Sequence, residues 1–125
     1  MLVASNLFAI LPVVQLMRRG LRVEAVAVAL AACASMLYHG FEDTQYADSL
    51  LLIDRIAAVS AVVIYIASLR PSLWTMPEAL SPFATLGASE LVKARHEMGY
   101  YAFLHGCWHA AVFLYAYEFA LIKDQ

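Results

Sequence analysis

The apolar residues of this sequence are gathered into four long blocks, which short charged or proline-containing stretches separate. The blocks cover residues 2–17, 23–39, 49–69 and 99–122. Each is long enough, or nearly so, to cross the hydrocarbon core of a bilayer as a helix. The pattern predicts an all-α protein with a single transmembrane domain over residues 1–125, built as a polytopic bundle of about four membrane helices.

The overall composition agrees with a membrane protein. Hydrophobic residues make up 63% of the chain and charged residues only 14%, and the mean hydropathy is +0.70. The net charge of −2 offers no basic surface for nucleic acid. Cys33 and Cys107 both fall inside apolar blocks, so we expect two small core side chains and no disulfide framework.

Charged residues at the ends of the blocks predict the topology. Arg18, Arg19 and Arg22 follow the first block, and cytoplasmic loops of membrane proteins collect such residues. A secretory signal would carry its positive charge before the apolar run. The first block is therefore interpreted as a membrane helix whose N-terminus is outside or lumenal. The acidic turn at 41–48 is expected on the same outer or lumenal side. The membrane itself would be the plasma membrane or an endomembrane.

The stretch 71–95 differs from the four blocks. It contains three prolines, and polar residues are scattered among its apolar ones. It has no continuous run of about 20 apolar residues, the length that crosses a bilayer. We expect it not to cross, and to form a short interfacial helix with Trp74 and Met76 at the level of the lipid headgroups.

Ionisable side chains inside the apolar blocks are candidate functional residues, because burying them in a membrane is costly. His105 and His109 are four residues apart in the last block, so they lie on one face of a helix. Ser35 and His39 have the same spacing at the end of the second block. Asp54 lies near the start of the third block.

Three imidazoles and a carboxylate suit a zinc ion. Catalytic zinc sites usually have three protein ligands and an open position for water, so His39, His105 and His109 are the candidate metal ligands. Asp54 would orient and deprotonate the water, and Ser35 would hydrogen-bond the water or a developing oxyanion. Spacing alone leaves two alternatives open. His39 and one histidine of the last block could bind haem, or the histidines could hydrogen-bond between helices of a non-catalytic protein.

The motifs also resemble those of a known family. The stretches concerned are Ser5-Asn6-Leu7 with Pro12, Arg18-Arg19, Glu24-Ala25, Ser35-x-x-Tyr38-His39, Asp54, and His105-Gly106-Cys107-Trp108-His109. Together they resemble the myomaker-like membrane proteins, which are related to the post-GPI-attachment phospholipase. That group lies within the hydrolase superfamily of alkaline ceramidases and adiponectin/progestin receptors.

The resemblance implies a seven-helix, zinc-dependent hydrolase of lipid amide or ester bonds. In such a protein the three histidines bind zinc, the serine and the aspartate support the water, and the substrate is a membrane lipid. Members that promote membrane fusion keep the same residues, so the motifs fit a non-catalytic, membrane-remodelling role as well.

This chain departs from the family pattern in two respects. The residues after His39 are Gly40-Phe41-Glu42-Asp43, where myomaker-like members tend to continue with a Cys-Asp pair. About three helices between the third and the last are also missing, which makes this a shortened member.

The missing helices change the expected geometry. With four crossings the second and last helices run in the same direction, which places His39 near the outer face and His105 and His109 on the inner side. At a rise of about 1.5 Å per residue the offset is roughly 10 Å, whereas a zinc ligand lies about 2 Å from its ion. We therefore expect Ser35, His39 and Asp54 to cluster near the outer face. Zinc binding should then be weak or absent, unless a partner chain or oligomer completes the site. An odd number of crossings would instead bring the three histidines to one depth.

The topology is testable with single cysteines in a background that lacks Cys33 and Cys107. In sealed vesicles of known orientation, a membrane-impermeant maleimide should reach Gln45→Cys from the exterior or lumenal side. Arg18→Cys should react from the cytoplasmic side, because arginine-rich loops stay there. Labelling of Gln45→Cys only after permeabilisation of right-side-out vesicles would contradict the topology.

Overall fold

The computed structural model describes residues 2–69 and 76–122, and all regular secondary structure in these ranges is helical. The helices are α1 (Leu2–Ser5), a 3₁₀ turn (Asn6–Ala9), α2 (Ile10–Arg18), α3 (Arg22–Gly40), α4 (Ala47–Leu69), α5 (Met76–Ala94) and α6 (Met98–Ile122). The first three segments follow one another without a break and form one apolar rod, the N-terminal helix (Leu2–Arg18). The described chain therefore contains five helical rods.

Two of the short connections between helices have the same hydrogen-bond pattern. After α2, the Leu21 amide donates to the Leu16 carbonyl at 2.9 Å, and the Gly20 amide donates to the Met17 carbonyl at 3.1 Å. This is a Schellman motif, which needs a left-handed residue just past the helix end. Gly20 supplies it with φ 73°. His96 takes the corresponding position after α5 with φ 61°. The fourth histidine of the chain is therefore a residue of this turn.

The N-terminal helix lies at the centre of the bundle. It packs against both α3 and α6, while α4 pairs with α3 and α5 pairs with α6. The buried apolar cluster between them consists of Ala9, Leu16, Ala25, Val28, Ala32, Phe113 and Ala120. Four of its seven members are alanines, and such small side chains let helix backbones approach closely.

The direction of α6 follows from which ends meet. Ala25, near the start of α3, shares the apolar cluster with Ala120, near the end of α6. The Arg19 guanidinium, just past the end of α2, donates to the Leu121 carbonyl at 3.4 Å. Thus α6 runs parallel to the N-terminal helix and antiparallel to α3.

The structure has five helical rods where the sequence predicted about four helices, because the stretch 71–95 contains α5. This helix has 19 residues and packs along α6. At about 1.5 Å per residue its length is close to the thickness of a bilayer core, which is longer than the short interfacial helix predicted. The side chains of Trp74 and Met76 lie outside the described part of the structure.

In the described residues, one helix is long and apolar enough to cross a membrane, namely α3 with a mean hydropathy of 1.5 over its best window. The N-terminal helix is apolar but shorter. A buried helix of a water-soluble protein satisfies the same criterion.

The two cysteines are free thiols. This agrees with the prediction that the chain has no disulfide framework. Cys107 is half-buried in α6, but Cys33 is exposed on α3. The expected core position is therefore wrong for Cys33.

The turn after α2 gives a stability prediction. Gly20→Ala should lower the free energy of unfolding by about 1 kcal/mol, because an L-residue is strained at positive φ. Gly87→Ala is the matched control. Gly87 lies inside α5 at an exposed position with open space around its Cα, so alanine should stabilise the protein by about 0.5–1 kcal/mol through helix propensity. Thermal unfolding in detergent measures both, and equal signs for the two variants would contradict the turn geometry.

Candidate metal centre

The two histidines of α6 lie one above the other on the buried face of that helix. Their ring centroids are 4.9 Å apart, and both side chains are buried. Spacing of four residues predicts this arrangement, since one helical turn separates the two positions. The pair forms one side of a cluster of imidazoles.

His39 reaches the same cluster from the end of α3. Its ring centroid lies 5.1 Å from that of His105 and 5.5 Å from that of His109. One ring nitrogen from each histidine lies within 4.8 Å of the others, and all three residues are buried. The structure thus brings the three predicted ligands together.

The predicted difference in depth between His39 and the α6 histidines is therefore wrong. Its physical basis was the parallel direction of α3 and α6 in a four-helix chain. With α5 present the number of long helices is odd, and α6 is reversed relative to α3. The end of α3 then meets the first half of α6. All three histidines belong to one chain, so the triad itself needs no residue from a partner chain.

His109 is enclosed by polar side chains of the N-terminal helix and α3. Its Nδ1 lies 2.7 Å from the Ser5 hydroxyl, and its Nε2 lies 3.2 Å from the Ser35 hydroxyl. The Asn6 side-chain amide nitrogen lies 3.3 Å from the same Nδ1, and it donates to the Ser35 hydroxyl at 3.1 Å and to the Leu2 carbonyl at 3.2 Å. Asn6 and His109 are each only 2% exposed, so these two side chains are closed to bulk water, while Ser5 is half-buried.

His105 and His39 each have one oxygen partner at Nδ1. The Ser89 hydroxyl of α5, which is fully buried, lies 3.3 Å from the His105 Nδ1. A carboxylate oxygen of Glu42, in the turn after α3, lies 3.2 Å from the His39 Nδ1. All three Nδ1 atoms therefore face oxygen. Of the Nε2 atoms, that of His109 lies near the Ser35 hydroxyl, and that of His39 is buried and has no hydrogen-bond partner among the described residues.

Aromatic rings surround the histidines on the remaining sides. The Tyr101 and Trp108 rings both lie 5.0 Å from the His105 ring, and the Tyr38 ring lies 4.8 Å from the His39 ring. The Lys93 ammonium lies over the outer face of Tyr101, 4.8 Å from its centroid. This shell keeps the imidazoles in apolar surroundings, where a lone pair without a partner is unfavourable.

Of the two predicted catalytic residues, Ser35 is hydrogen-bonded to the histidine cluster and Asp54 is not. Ser35 belongs to the network, through His109 and Asn6. Asp54 is half-buried on α4, and its carboxylate makes no hydrogen bond or ion pair with the described residues. Four of the five predicted site residues are thus joined by ring contacts or hydrogen bonds, and Asp54 lies outside that network.

Four polar residues at the site were not predicted as site residues: Ser5, Asn6, Glu42 and Ser89. The first two could have been recognised, because a polar pair inside an apolar block needs polar partners. Ser89 lies in the stretch that was expected not to cross. Glu42 follows His39 by three residues, and was predicted only as part of the acidic outer turn.

Comparisons with known proteins give no relative. No protein-family model matches the sequence, and no curated protein or solved structure matches it. The family resemblance therefore stays a prediction from the quoted motifs, and the geometry of the histidines does not depend on it.

Proposed function

We propose that this chain is a membrane-embedded zinc protein that hydrolyses an amide or ester bond of a membrane lipid. His39, His105 and His109 would hold the ion. The observation that supports this most directly is the approach of three buried imidazole nitrogens to within 4.8 Å of one another. Three histidine ligands are also the protein share of a catalytic zinc site that keeps one position open.

The residues present fit a zinc ion in two respects. Each Nδ1 already faces an oxygen of Ser5, Ser89 or Glu42, which is the arrangement that surrounds metal-ligating histidines in general. The buried Nε2 of His39 has no partner among the described residues. A metal ion would satisfy that nitrogen, whose burial without a partner otherwise costs free energy.

A membrane location is supported by the surface of the bundle. Large apolar side chains are exposed on every rod, including Leu7, Val26, Leu52, Phe83 and Phe103. Such a surface is unfavourable in water and suits lipid. Lipid as the substrate follows from this surface and from the family resemblance.

Bound zinc would supply Lewis acidity and activate water at neutral pH. Ser35 accepts from the Asn6 amide and lies 3.2 Å from the His109 Nε2. Its hydroxyl would therefore lie beside an ion bound at that nitrogen, where it would hydrogen-bond the reacting water or the oxygen of a lipid carbonyl. Asp54 is the candidate general base. It lies in the second turn of α4, at the end of the bundle where the 41–46 turn joins α4 to His39.

The sequence left two alternatives to a zinc hydrolase, a haem-binding bundle and a non-catalytic membrane protein, and the geometry bears on each. A porphyrin between two of these rings would have to displace the third, because each ring centroid lies within 5.5 Å of both others. A single ion fits better than haem. A non-catalytic membrane protein remains the second candidate, supported by hydrogen bonds from the histidines to Ser5, Ser35 and Ser89 on other helices.

Metal analysis of the purified full chain tests the proposal. We expect one zinc per chain, lost on His39→Ala, His105→Ala or His109→Ala because each removes one of three ligands. His96→Ala is the matched control, since His96 lies in the α5–α6 turn, and it should keep the zinc. Asp54→Ala should also keep most of the metal while abolishing hydrolysis of fluorescent phospholipid or ceramide analogues.

The outcomes separate the candidates. Absence of zinc from the wild-type chain after growth and refolding with zinc would contradict the metal centre. Bound zinc without turnover of either lipid class would favour the non-catalytic candidate. Loss of zinc from Asp54→Ala would make Asp54 a ligand and contradict the role given to it.

A further inference from the structure

We propose that Ser5 and Ser89 are positioning residues that hold His109 and His105 with the proton on Nδ1, so that each ring offers the lone pair of Nε2. This inference rests on the proposed metal centre. The inference concerns the ring nitrogen that carries the proton. Hydrogen atoms are assigned from the hydrogen-bond network around each ring. The proton positions follow from counting donors and acceptors.

Ser5 has a single hydroxyl proton to donate. Its oxygen lies 2.7 Å from the Leu2 carbonyl oxygen, which can only accept. The proton is therefore used there, and the same oxygen presents only lone pairs to the His109 Nδ1 at 2.7 Å. A short contact of this kind is a hydrogen bond only if Nδ1 carries the proton.

Ser89 repeats the arrangement on another helix. Its hydroxyl donates to the Leu86 carbonyl at 2.7 Å and lies 3.3 Å from the His105 Nδ1. Both serines thus donate to a carbonyl three residues earlier and face an imidazole of α6 with a lone pair. Side-chain bonds of Ser to a preceding carbonyl are common in helices. Here they leave the oxygen free to accept.

The other side of His109 is consistent with this assignment. The Asn6 amide nitrogen lies 3.1 Å from the Ser35 hydroxyl, 3.2 Å from the Leu2 carbonyl and 3.3 Å from the His109 Nδ1. Because the Nδ1 proton is already directed to the Ser5 oxygen at 2.7 Å, the two amide protons are assigned to the two nearer oxygens. Ser35 therefore accepts from Asn6, and its own proton is available for the His109 Nε2 at 3.2 Å. That hydrogen bond requires an unprotonated Nε2, which agrees with a proton on Nδ1.

His39 follows the same rule through Glu42. The Glu42 carboxylate accepts from the Nδ1 at 3.2 Å, and the Nε2 has no partner among the described residues. Each ring of the triad thus directs its N–H to an oxygen supplied by a different part of the chain. Ser89 is fully buried and Ser5 is half-buried, whereas the Glu42 side chain is 38% exposed, so the serines constrain their rings more than Glu42 does.

The consequence is that ligand geometry depends on helices that supply no ligand. Ser5 belongs to the N-terminal helix and Ser89 to α5, and these two helices flank α6. Removing such a partner typically weakens metal binding by about 10- to 100-fold. Ser60 is a serine on the exposed side of α4, and its removal should change nothing at the site.

The test uses the full chain in detergent micelles with ¹⁵N-labelled histidine. In the metal-free wild type, long-range ¹H–¹⁵N spectra should show His105 and His109 in the Nδ1–H form. Competition with a chelator should show that Ser5→Ala and Ser89→Ala each bind Zn²⁺ about 10- to 100-fold more weakly than wild type. Ser5→Thr keeps the hydroxyl and should restore the affinity, and Ser60→Ala should match wild type.

The results separate this inference from the metal centre itself. Wild-type rings in the Nε2–H form would overturn the inference, as would undiminished zinc affinity in both alanine variants. If the wild type binds no zinc, the proposed metal centre fails, and the tautomer spectra alone decide the inference. If Ser89→Ala does not fold, the Ser5→Ala and Ser5→Thr pair and the wild-type spectra still decide it.

Discussion

The direction in which each helix runs determines the depth of every polar side chain in the bundle, and the site depends on that constraint. His39 is at the end of α3, whereas His105 and His109 are in the first half of α6. These positions coincide only if the two helices are antiparallel. The fifth rod, α5, makes the number of helices odd and so reverses α6. A helix that contributes no imidazole therefore decides whether the three imidazoles can meet.

A second constraint is the cost of polar groups in apolar surroundings. The N-terminal helix carries Ser5 and Asn6 between α3 and α6, and both meet polar partners there. Apolar packing and the hydrogen bonding of these polar side chains thus both require the N-terminal helix to lie between α3 and α6. The buried histidines gain hydrogen bonds from the N-terminal helix, α3, the turn after α3 and α5, which explains how the cluster is tolerated in the interior.

Much of this arrangement could be predicted from the sequence. The apolar blocks predict the N-terminal helix, α3, α4 and α6, and the spacing of four predicts the shared faces of Ser35 with His39 and of His105 with His109. The residues expected to bind metal are the ones that meet. The condition for their meeting, an odd number of crossings, was also deducible from helix geometry alone.

The sequence could not predict α5 in the same way. Pro82, Thr85 and Ser89 interrupt its apolar pattern, so a search for continuous apolar runs misses it. The structure shows why those residues suit a helix: Thr85 and Ser89 bond their hydroxyls to carbonyls three residues earlier. Ser89 also faces His105, a tertiary contact that no local pattern contains. The sequence also placed Asp54 near His39, whereas in the structure Asp54 lies outside the hydrogen-bond network of the histidines.

X-ray absorption at the zinc edge of the zinc-loaded chain tests the central claim most directly, because it counts the ligand atoms around the ion. The account predicts three imidazole nitrogens at about 2.0–2.1 Å with a light fourth ligand. A sulfur scatterer near about 2.3 Å would place zinc at Cys33 or Cys107 instead. That result, or a shell with fewer than three imidazoles, would contradict the metal centre described here.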